Sequence, residues 1–344
     1  MTKATMKAVG LTRYLPIGEP ESLFDFEAEK PVPAGRDLLV KVMAVSVNPV
    51  DTKVRAPKEQ VEPSPRILGW DVAGIVEQAG EGVTLFKPGD EVYYAGSITR
   101  PGGNSEYHLV DERIVGRKPE TLDFAAAAAL PLTAITAWEA LFDRFRISGS
   151  AADNRGRTIL LIGAAGGVGS IAVQLAASAG LTVIGTASRP ESGEWAKKHG
   201  AAHIISHYEP FAPQLKALGI PAVDYVLCLN ATEQHWTGIA EVIAPQGAVC
   251  SIVDAKGPLD LNLLKSKSAS FHWEFMFTRA MYETPDMIEQ HDLLCRIADD
   301  IDGGRLSTTV AERLSPINAA HLRLAHEKLE SGRTIGKIVL EGWS

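Results

Sequence analysis

The sequence predicts an α/β protein: a doubly wound parallel sheet with helices on both faces, joined to a second, β-rich domain. Three observations predict it. Short apolar runs alternate with helical runs between residues 158 and 253. Those runs are apolar on both faces, as strands covered on both sides must be. A glycine-rich turn joins the first of them directly to a helix. The 344 residues suffice for two domains, at roughly 100–200 residues each. A 45% hydrophobic and 22% charged composition supplies the cores such domains need.

The elements follow in order. Residues 38–47 (LLVKVMAVSV) read as a strand, 72–77 (VAGIVE) as a second, and 89–92 (GDEV) enter a third, with Gly and Pro between the runs. Residues 125–141 are rich in Ala and Leu and read as helix. The stretch 124–142 is nearly all apolar, but Pro131, Thr133, Thr136 and Glu139 within it point to a buried helical connection, not a membrane span. Strand 158–162 (TILLI) leads to helix 170–178, strand 181–186 (LTVIGT), helix 194–199 and strand 202–206. Strands four and five are 225–229 and 249–253. In 270–277 (SFHWEFMF), Phe271, Trp273, Phe275 and Phe277 alternate with His272, Glu274 and Met276, which predicts a half-buried strand, core or dimer edge. Helix 318–329 and strand 337–340 close the chain. The expected domains are 1–128, 129–268, and 269–344 returning to the first.

A formal net charge of −8 repels phosphate backbones, so nucleic acid is not an expected partner, although a local pocket for a phosphorylated cofactor remains open. Cys228, Cys250 and Cys295 are odd in number and match no disulfide framework or Cys-x-x-Cys metal motif. A reducing compartment, the cytoplasm, follows. The opening MTKATMKAVG lacks the apolar core of a signal peptide.

Residues 163–169 read Gly-Ala-Ala-Gly-Gly-Val-Gly, directly after a strand and before a helix. In that context they predict a Rossmann dinucleotide site built by Gly163, Ala164, Gly166, Gly167 and Val168. Gly166 and Gly169 fit the second and third fingerprint glycines, and Ala164 replaces the first. The second glycine admits the pyrophosphate, the third lets helix pack on strand, and the helix N-terminus holds the phosphates. Strand two ends in Thr186-Ala187-Ser188-Arg189, without the acid that binds a ribose hydroxyl in NAD sites. Arg189, with Ser188 as a donor, suits a 2′-phosphate, so NADPH is the expected cofactor. The alternative is a solvated Arg189 beside Glu191. Asn230, after strand four, and Ile252 and Val253, after strand five, stand where open sheets bind ligands.

Several segments carry a resemblance over nearly the whole chain: Asn48-Pro49-Val50-Asp51, 68–76 (LGWDVAGIV), 87–92 (KPGDEV), 129–134 (ALPLTA), the glycine turn and 336–340 (GKIVL). The sequence resembles the medium-chain dehydrogenase/reductase superfamily, in its zinc-independent quinone oxidoreductase branch. The resemblance implies a GroES-like catalytic domain beside the Rossmann domain, and a homodimer. It places Asn48 and Thr133 near the nicotinamide, with Asn48 donating to a developing oxyanion, and Lys337 near the cofactor. Zinc members have Cys where this chain has Asn48 and His-Glu where it has Trp70-Asp71, so no metal is expected. Without a Lewis acid, a quinone or α,β-unsaturated carbonyl, which delocalises the incoming charge, is the expected small-molecule substrate. Asp51, Lys53 and Tyr107 are candidate acids with no motif to choose among them. The alternatives are a zinc-dependent alcohol dehydrogenase and an NADPH-binding regulatory or structural protein with little turnover.

Overall fold

The computed structural model describes residues 4–343. The chain divides into two compact units, Met1–Ile135 with Phe277–Ser344, and Thr136–Met276. The breaks fall after residues 135 and 276, a few positions beyond the 128 and 268 read from the sequence.

The second unit is built on six parallel strands: Thr158–Ile162, Thr182–Thr186, His203–Ile205, Val223–Cys228, Ile243–Ser251 and Ser270–Trp273. Numbered within the unit, their order across the sheet is 3-2-1-4-5-6. That order reverses beside the first strand, which pairs with Thr182–Thr186 on one side and Val223–Cys228 on the other. Ligands of open parallel sheets bind at such a reversal, outside the carboxyl ends of the strands. The strands form because their residues are apolar on both faces: Ile159, Leu160, Leu161 and Ile162 are all buried. Leu160, Ile184, Val226, Trp236 and Ile239 join one core with Phe211 and Leu215 from the covering helices. Each such side chain contributes about 1.5–3 kcal/mol on leaving water.

Two readings of this unit are corrected by the structure. The helix expected over 125–141 is broken into Phe124–Ala128, Pro131–Trp138 and a π-helical turn, Glu139–Arg144. Pro131 starts the middle piece because it lacks an N–H for the previous turn, and Phe145 N–H reaches back five residues to Ala140 O at 3.1 Å. Phe124–Arg144 is long and apolar enough to cross a membrane by length and composition, but 89% of its most apolar window lies inside the protein. The strand read over 270–277 ends at Trp273 and belongs to the parallel sheet, at its edge beside Ile243–Ser251, so it does not return to the first unit. Its expected alternation holds at Phe271, packed on the core, and at the buried Phe277, but reverses between them. Trp273 and Phe275 are 50% and 46% exposed, while Glu274 and Met276 are buried, because the Glu274 carboxylate is held inside by Arg144.

The first unit carries a three-stranded sheet, Phe24–Glu29, Thr5–Tyr14 and Lys58–Ile67 in spatial order, and a larger sheet centred on Asp37–Ser46. The latter strand pairs antiparallel with Val72–Ala79, Tyr107–Asp111 and Lys337–Glu341, so residues from both ends of the chain meet around it. Pro63 and Pro65 lie in Lys58–Ile67, an edge strand, where a missing N–H costs no ladder bond.

Candidate functional site

In the second unit, Thr158–Ile162 runs into Gly163, whose φ of +90° favours glycine. Gly163 N–H donates to Thr186 Oγ at 3.0 Å, tying the turn to the neighbouring strand. The following helix, Gly167–Ser178, starts from Gly166, and no side chain caps it. It begins three residues earlier than the sequence suggested. Its first amides have no helical carbonyl to bond, and with the helix dipole behind them such an end suits an anion. The two fingerprint glycines differ in what they permit. A Cβ on Gly169 would lie 2.3 Å from Gly163 O and 2.7 Å from the Ala164 carbonyl carbon, so this glycine is fixed by backbone packing. A Cβ on Gly166 would meet only Gly163 O, at 3.6 Å, leaving an open approach for a ligand. Gly167 and Val168 are half-buried beside it, and Ala164 is buried.

Ser188 is exposed and Arg189 half-buried at the end of Thr182–Thr186, where no carboxylate stands between residues 186 and 190. Arg189 N–H donates to Ser192 Oγ at 3.2 Å, opening the next helix. Asn230 is exposed after Val223–Cys228, and Ile252 and Val253 are half-buried after Ile243–Ser251. Ile252 N–H reaches Cys228 O at 3.3 Å and Val253 N–H reaches Ser251 Oγ at 3.3 Å. Thus Gly163, Ser188, Arg189, Asn230, Ile252 and Val253 share the carboxyl edge of one sheet. The sequence did not reveal Trp195, whose indole donates to Ser170 Oγ at 2.8 Å and fixes the helix behind the turn.

Asn48, Thr133 and Lys337 belong to the first unit. Asn48 caps the helix Pro49–Arg55, and Lys337 begins the strand Lys337–Glu341. The Lys337 ammonium donates to Asp71 at 2.9 Å, to Val47 O at 2.9 Å and to Asn48 Oδ1. Asn48 Nδ2 donates to Asp71 at 2.8 Å and to Trp70 O at 3.3 Å. The second oxygen of Asp71 accepts from Leu132 N–H at 2.7 Å. Lys337 and Asp71 are 3% and 0% exposed, so this centre is sealed from water. Burial pushes the Asp71 carboxyl upward, and Lys337, Leu132 and Asn48 oppose it. Asp51 accepts from Asn48 N–H at 2.6 Å, but its other oxygen is buried with no partner. Burial raises Asp51 to about 7, above the usual carboxylate range, against the pull of Asn48 N–H and Lys337. Thr133 is buried and donates to Leu130 O at 2.9 Å.

Expectation and geometry part at Asn48. Read as a free donor to substrate, it has both amide hydrogens directed at protein acceptors, the Asp71 carboxylate and Trp70 O, while its Oδ1 accepts from Lys337. Asp71, absent from the expected set, is the hub. Its partner Lys337 lies 266 positions away, a separation that no local pattern reports.

The residues do not fit a zinc ion. Tetrahedral zinc takes thiolate, imidazole or carboxylate donors. Here the corresponding positions hold an amide, Asn48, and an indole, Trp70, whose N–H donates to Ser97 O at 3.2 Å. An ammonium already takes the carboxylate of Asp71. Among the described residues no group of three or more His, Cys, Asp or Glu could hold a metal.

One further buried ionic group lies in the second unit. Arg144 Nε donates to Glu274 at 2.8 Å, and Glu274 hydrogen-bonds Glu139. Two carboxyls can bond only through a proton, and burial together with Glu139 raises Glu274 to about 9. The π-helical turn brings Glu139 and Arg144, five residues apart, to the same side.

Comparison with known proteins agrees with this architecture. A family profile described as alcohol dehydrogenase GroES-like domain matches residues 34–120, and one described as zinc-binding dehydrogenase matches residues 199–340. A zinc-type alcohol dehydrogenase-like protein of Staphylococcus aureus is 44% identical over 335 residues, 97% of this chain and 99% of that protein. A putative zinc-dependent alcohol dehydrogenase protein from Rhizobium etli superposes with a TM-score of 0.94 at 54% identity over 100% of both chains. The Escherichia coli quinone oxidoreductase complexed with NADPH superposes with a TM-score of 0.79 at 26% identity, covering 97% of this chain and 99% of that one.

Proposed function

We propose, from the premise that this chain belongs to the medium-chain dehydrogenase/reductase superfamily and is one of its oxidoreductases, that it passes a hydride from NADPH to a quinone or an α,β-unsaturated carbonyl without zinc. The observation that carries this reading is the Lys337 ammonium held between Asn48 and Asp71, in a centre whose remaining donors do not suit a metal. A centre without a Lewis acid serves acceptors that spread the incoming charge themselves.

The chain's residues divide the work. The bound dinucleotide supplies the hydride. Backbone amides from Gly166 onward would hold its pyrophosphate, Gly163 and Ala164 would shape the turn, and Arg189 with Ser188 would grip the 2′-phosphate. Asn230, Ile252 and Val253 line the rest of the crevice. Asn48 releases its longer amide bond, the 3.3 Å contact to Trp70 O, and donates that N–H to the oxyanion. Lys337 and Asp71 keep the amide plane fixed while it does so. Thr133 stays bonded to its own helix, and solvent would supply the final proton. The E. coli quinone oxidoreductase, a relative of the same fold, is described with NADPH, which supports the cofactor.

The same reading makes the partner a small molecule, with neither nucleic acid nor membrane engaged, and the working form a cytoplasmic homodimer. The net charge of −8 supports the first part, and the exposed Trp273 and Phe275 at the sheet edge support self-association. Arg189→Ala tests the cofactor assignment. The KM for NADPH rises about tenfold or more, as loss of a charge-assisted phosphate contact requires, with NADH kinetics little changed. An unchanged ratio of NADPH to NADH efficiency rejects Arg189 as the selector.

A further inference from the structure

We propose that His207 makes the choice of cofactor depend on pH: its imidazole takes a proton from solvent as the 2′-phosphate of NADPH binds, and finds its counter-ion there. The proposal rests on the NADPH reading above and adds a titrating cation to the fixed charge of Arg189.

His207 stands two residues past the strand His203–Ile205, as Ser188 stands two past Thr182–Thr186. Those strands pair in parallel, with Ile205 opposite Thr186. The His207 ring turns back over their carboxyl ends, and its Nδ1 lies 3.3 Å from Thr186 Oγ. The same oxygen accepts from Gly163 N–H at 3.0 Å. One threonine hydroxyl therefore links His207 to the first residue of the glycine turn, across three neighbouring strands. A dinucleotide laid along this edge runs from that turn to the ribose position at the end of the second strand.

On its other side the ring meets the helix Thr232–Val242. His235 of that helix lies 6.3 Å away between ring centroids and packs on Phe211 at 5.6 Å. The exposed Tyr208 stands edge-on to His207 at 4.7 Å. The polar and titratable neighbours of the imidazole are thus Thr186, Tyr208 and His235, and none is a carboxylate. Burial alone holds His207 below its ordinary value. Burial, with His207 beside it, does the same to His235.

Both protonation states fit this frame. The Thr186 hydroxyl donates to Nδ1 of the neutral ring. When Nδ1 carries a proton the hydroxyl turns, and its oxygen accepts from the ring as well as from Gly163. Nε2 has no hydrogen-bond partner among the described residues and is left to a ligand. The half-buried ring can therefore gain charge without losing a bond. An anion within about 4–6 Å favours the imidazolium. NADPH brings such an anion on its 2′ oxygen, and NADH does not.

The test titrates the intact chain with NADP+, which carries the same 2′-phosphate and survives mild acid, and with NAD+ as control, at pH 6 and pH 8. An imidazole pKa raised by about one unit on binding tightens NADP+ roughly fivefold between pH 8 and pH 6 relative to His207→Gln. NAD+ is expected to respond alike in the two proteins. The 2′-phosphate loses its own last proton near about pH 6, but that acts equally on wild type and variant. Calorimetry of wild type in two buffers of different ionisation enthalpy needs no variant: at pH 7 NADP+ binding takes up protons and NAD+ binding does not. Absence of that uptake, or coincident NADP+ profiles for the two proteins, overturns the proposal. If NADP+ still binds more tightly than NAD+, the cofactor assignment survives. NADP+ bound no more tightly than NAD+ at either pH overturns both.

Discussion

Replacing Lys337 by Met removes the single cation from a sealed centre that contains two aspartates. Asp71 keeps its amide donors from Asn48 and Leu132 but loses the 2.9 Å ammonium contact, while Asn48 Oδ1 and Val47 O each lose a donor. Breaking a buried pair from one side costs about 3–5 kcal/mol, since the remaining charge is left uncompensated. Removing both charges is far milder. Asp71→Asn with Lys337→Met keeps a carbonyl to accept from Leu132 N–H and removes the carboxylate that Lys337 paired, leaving only Asp51, which burial already raises to about 7, so most of the loss returns. Urea unfolding followed by tryptophan fluorescence and circular dichroism on the four members of the cycle gives the coupling directly. The reasoning is refuted if Lys337→Met costs less than about 1 kcal/mol, or if the double variant loses the sum of the two single losses.

Three further outcomes follow from the same geometry. Gly169→Ala places a Cβ 2.3 Å from Gly163 O and so lowers thermal stability with or without cofactor, whereas Gly166→Ala, with 3.6 Å to the same atom, keeps the apo stability and weakens NADPH binding in a titration; equal apo stabilities for the two variants contradict the distinction. Glu274, raised to about 9 by burial and Glu139, binds its proton more tightly folded than unfolded, where a glutamate titrates near about 4.3, so stability falls as pH rises between those values. Glu274→Gln, a mimic of the neutral acid, is then expected to gain stability relative to wild type steadily from pH 5 to pH 9, and a constant offset across that range removes the shared proton from the account. His108, which burial drives down to about 4, stays neutral when folded while its unfolded form protonates near about 6.5, so its share of stability is present above that value and is lost as pH falls toward 4; a His108→Gln variant whose stability falls between pH 7 and pH 4 as steeply as wild type shows that this histidine is not the cause.

The sequence reported local features well and distant ones poorly, for a physical reason. The turn at 163–169 was legible because its chemistry is contiguous: strand, glycines and helix start within a dozen residues. The strands with apolar residues on both faces were legible for the same reason. Thr5–Tyr14 was not read because its residues do not alternate cleanly, whereas Phe24–Glu29, also not read, does carry a strict period-two signal, with Phe24, Phe26 and Ala28 set against Asp25, Glu27 and Glu29. The direction of Glu274 could not be read from period two alone, since a half-buried arginine, Arg144, reversed the pattern. The Asn48–Asp71–Lys337 centre was visible only as three unconnected residues. Its hydrogen bonds cross 23, 266 and 289 positions, and they set the direction of the Asn48 amide.

The central claim is zinc-free reduction of a conjugated acceptor by NADPH, and the most direct test is NADPH oxidation by the purified chain. Absorbance would be followed against ortho- and para-quinones and conjugated enones, with a simple aldehyde and NADH as controls, before and after exhaustive chelation. The account predicts turnover with the conjugated acceptors, preference for NADPH, and rates unchanged by the chelator. Turnover confined to the simple aldehyde, or lost on chelation, would contradict it. NADPH bound without turnover on any acceptor would contradict it equally and would make this chain a cofactor-binding protein.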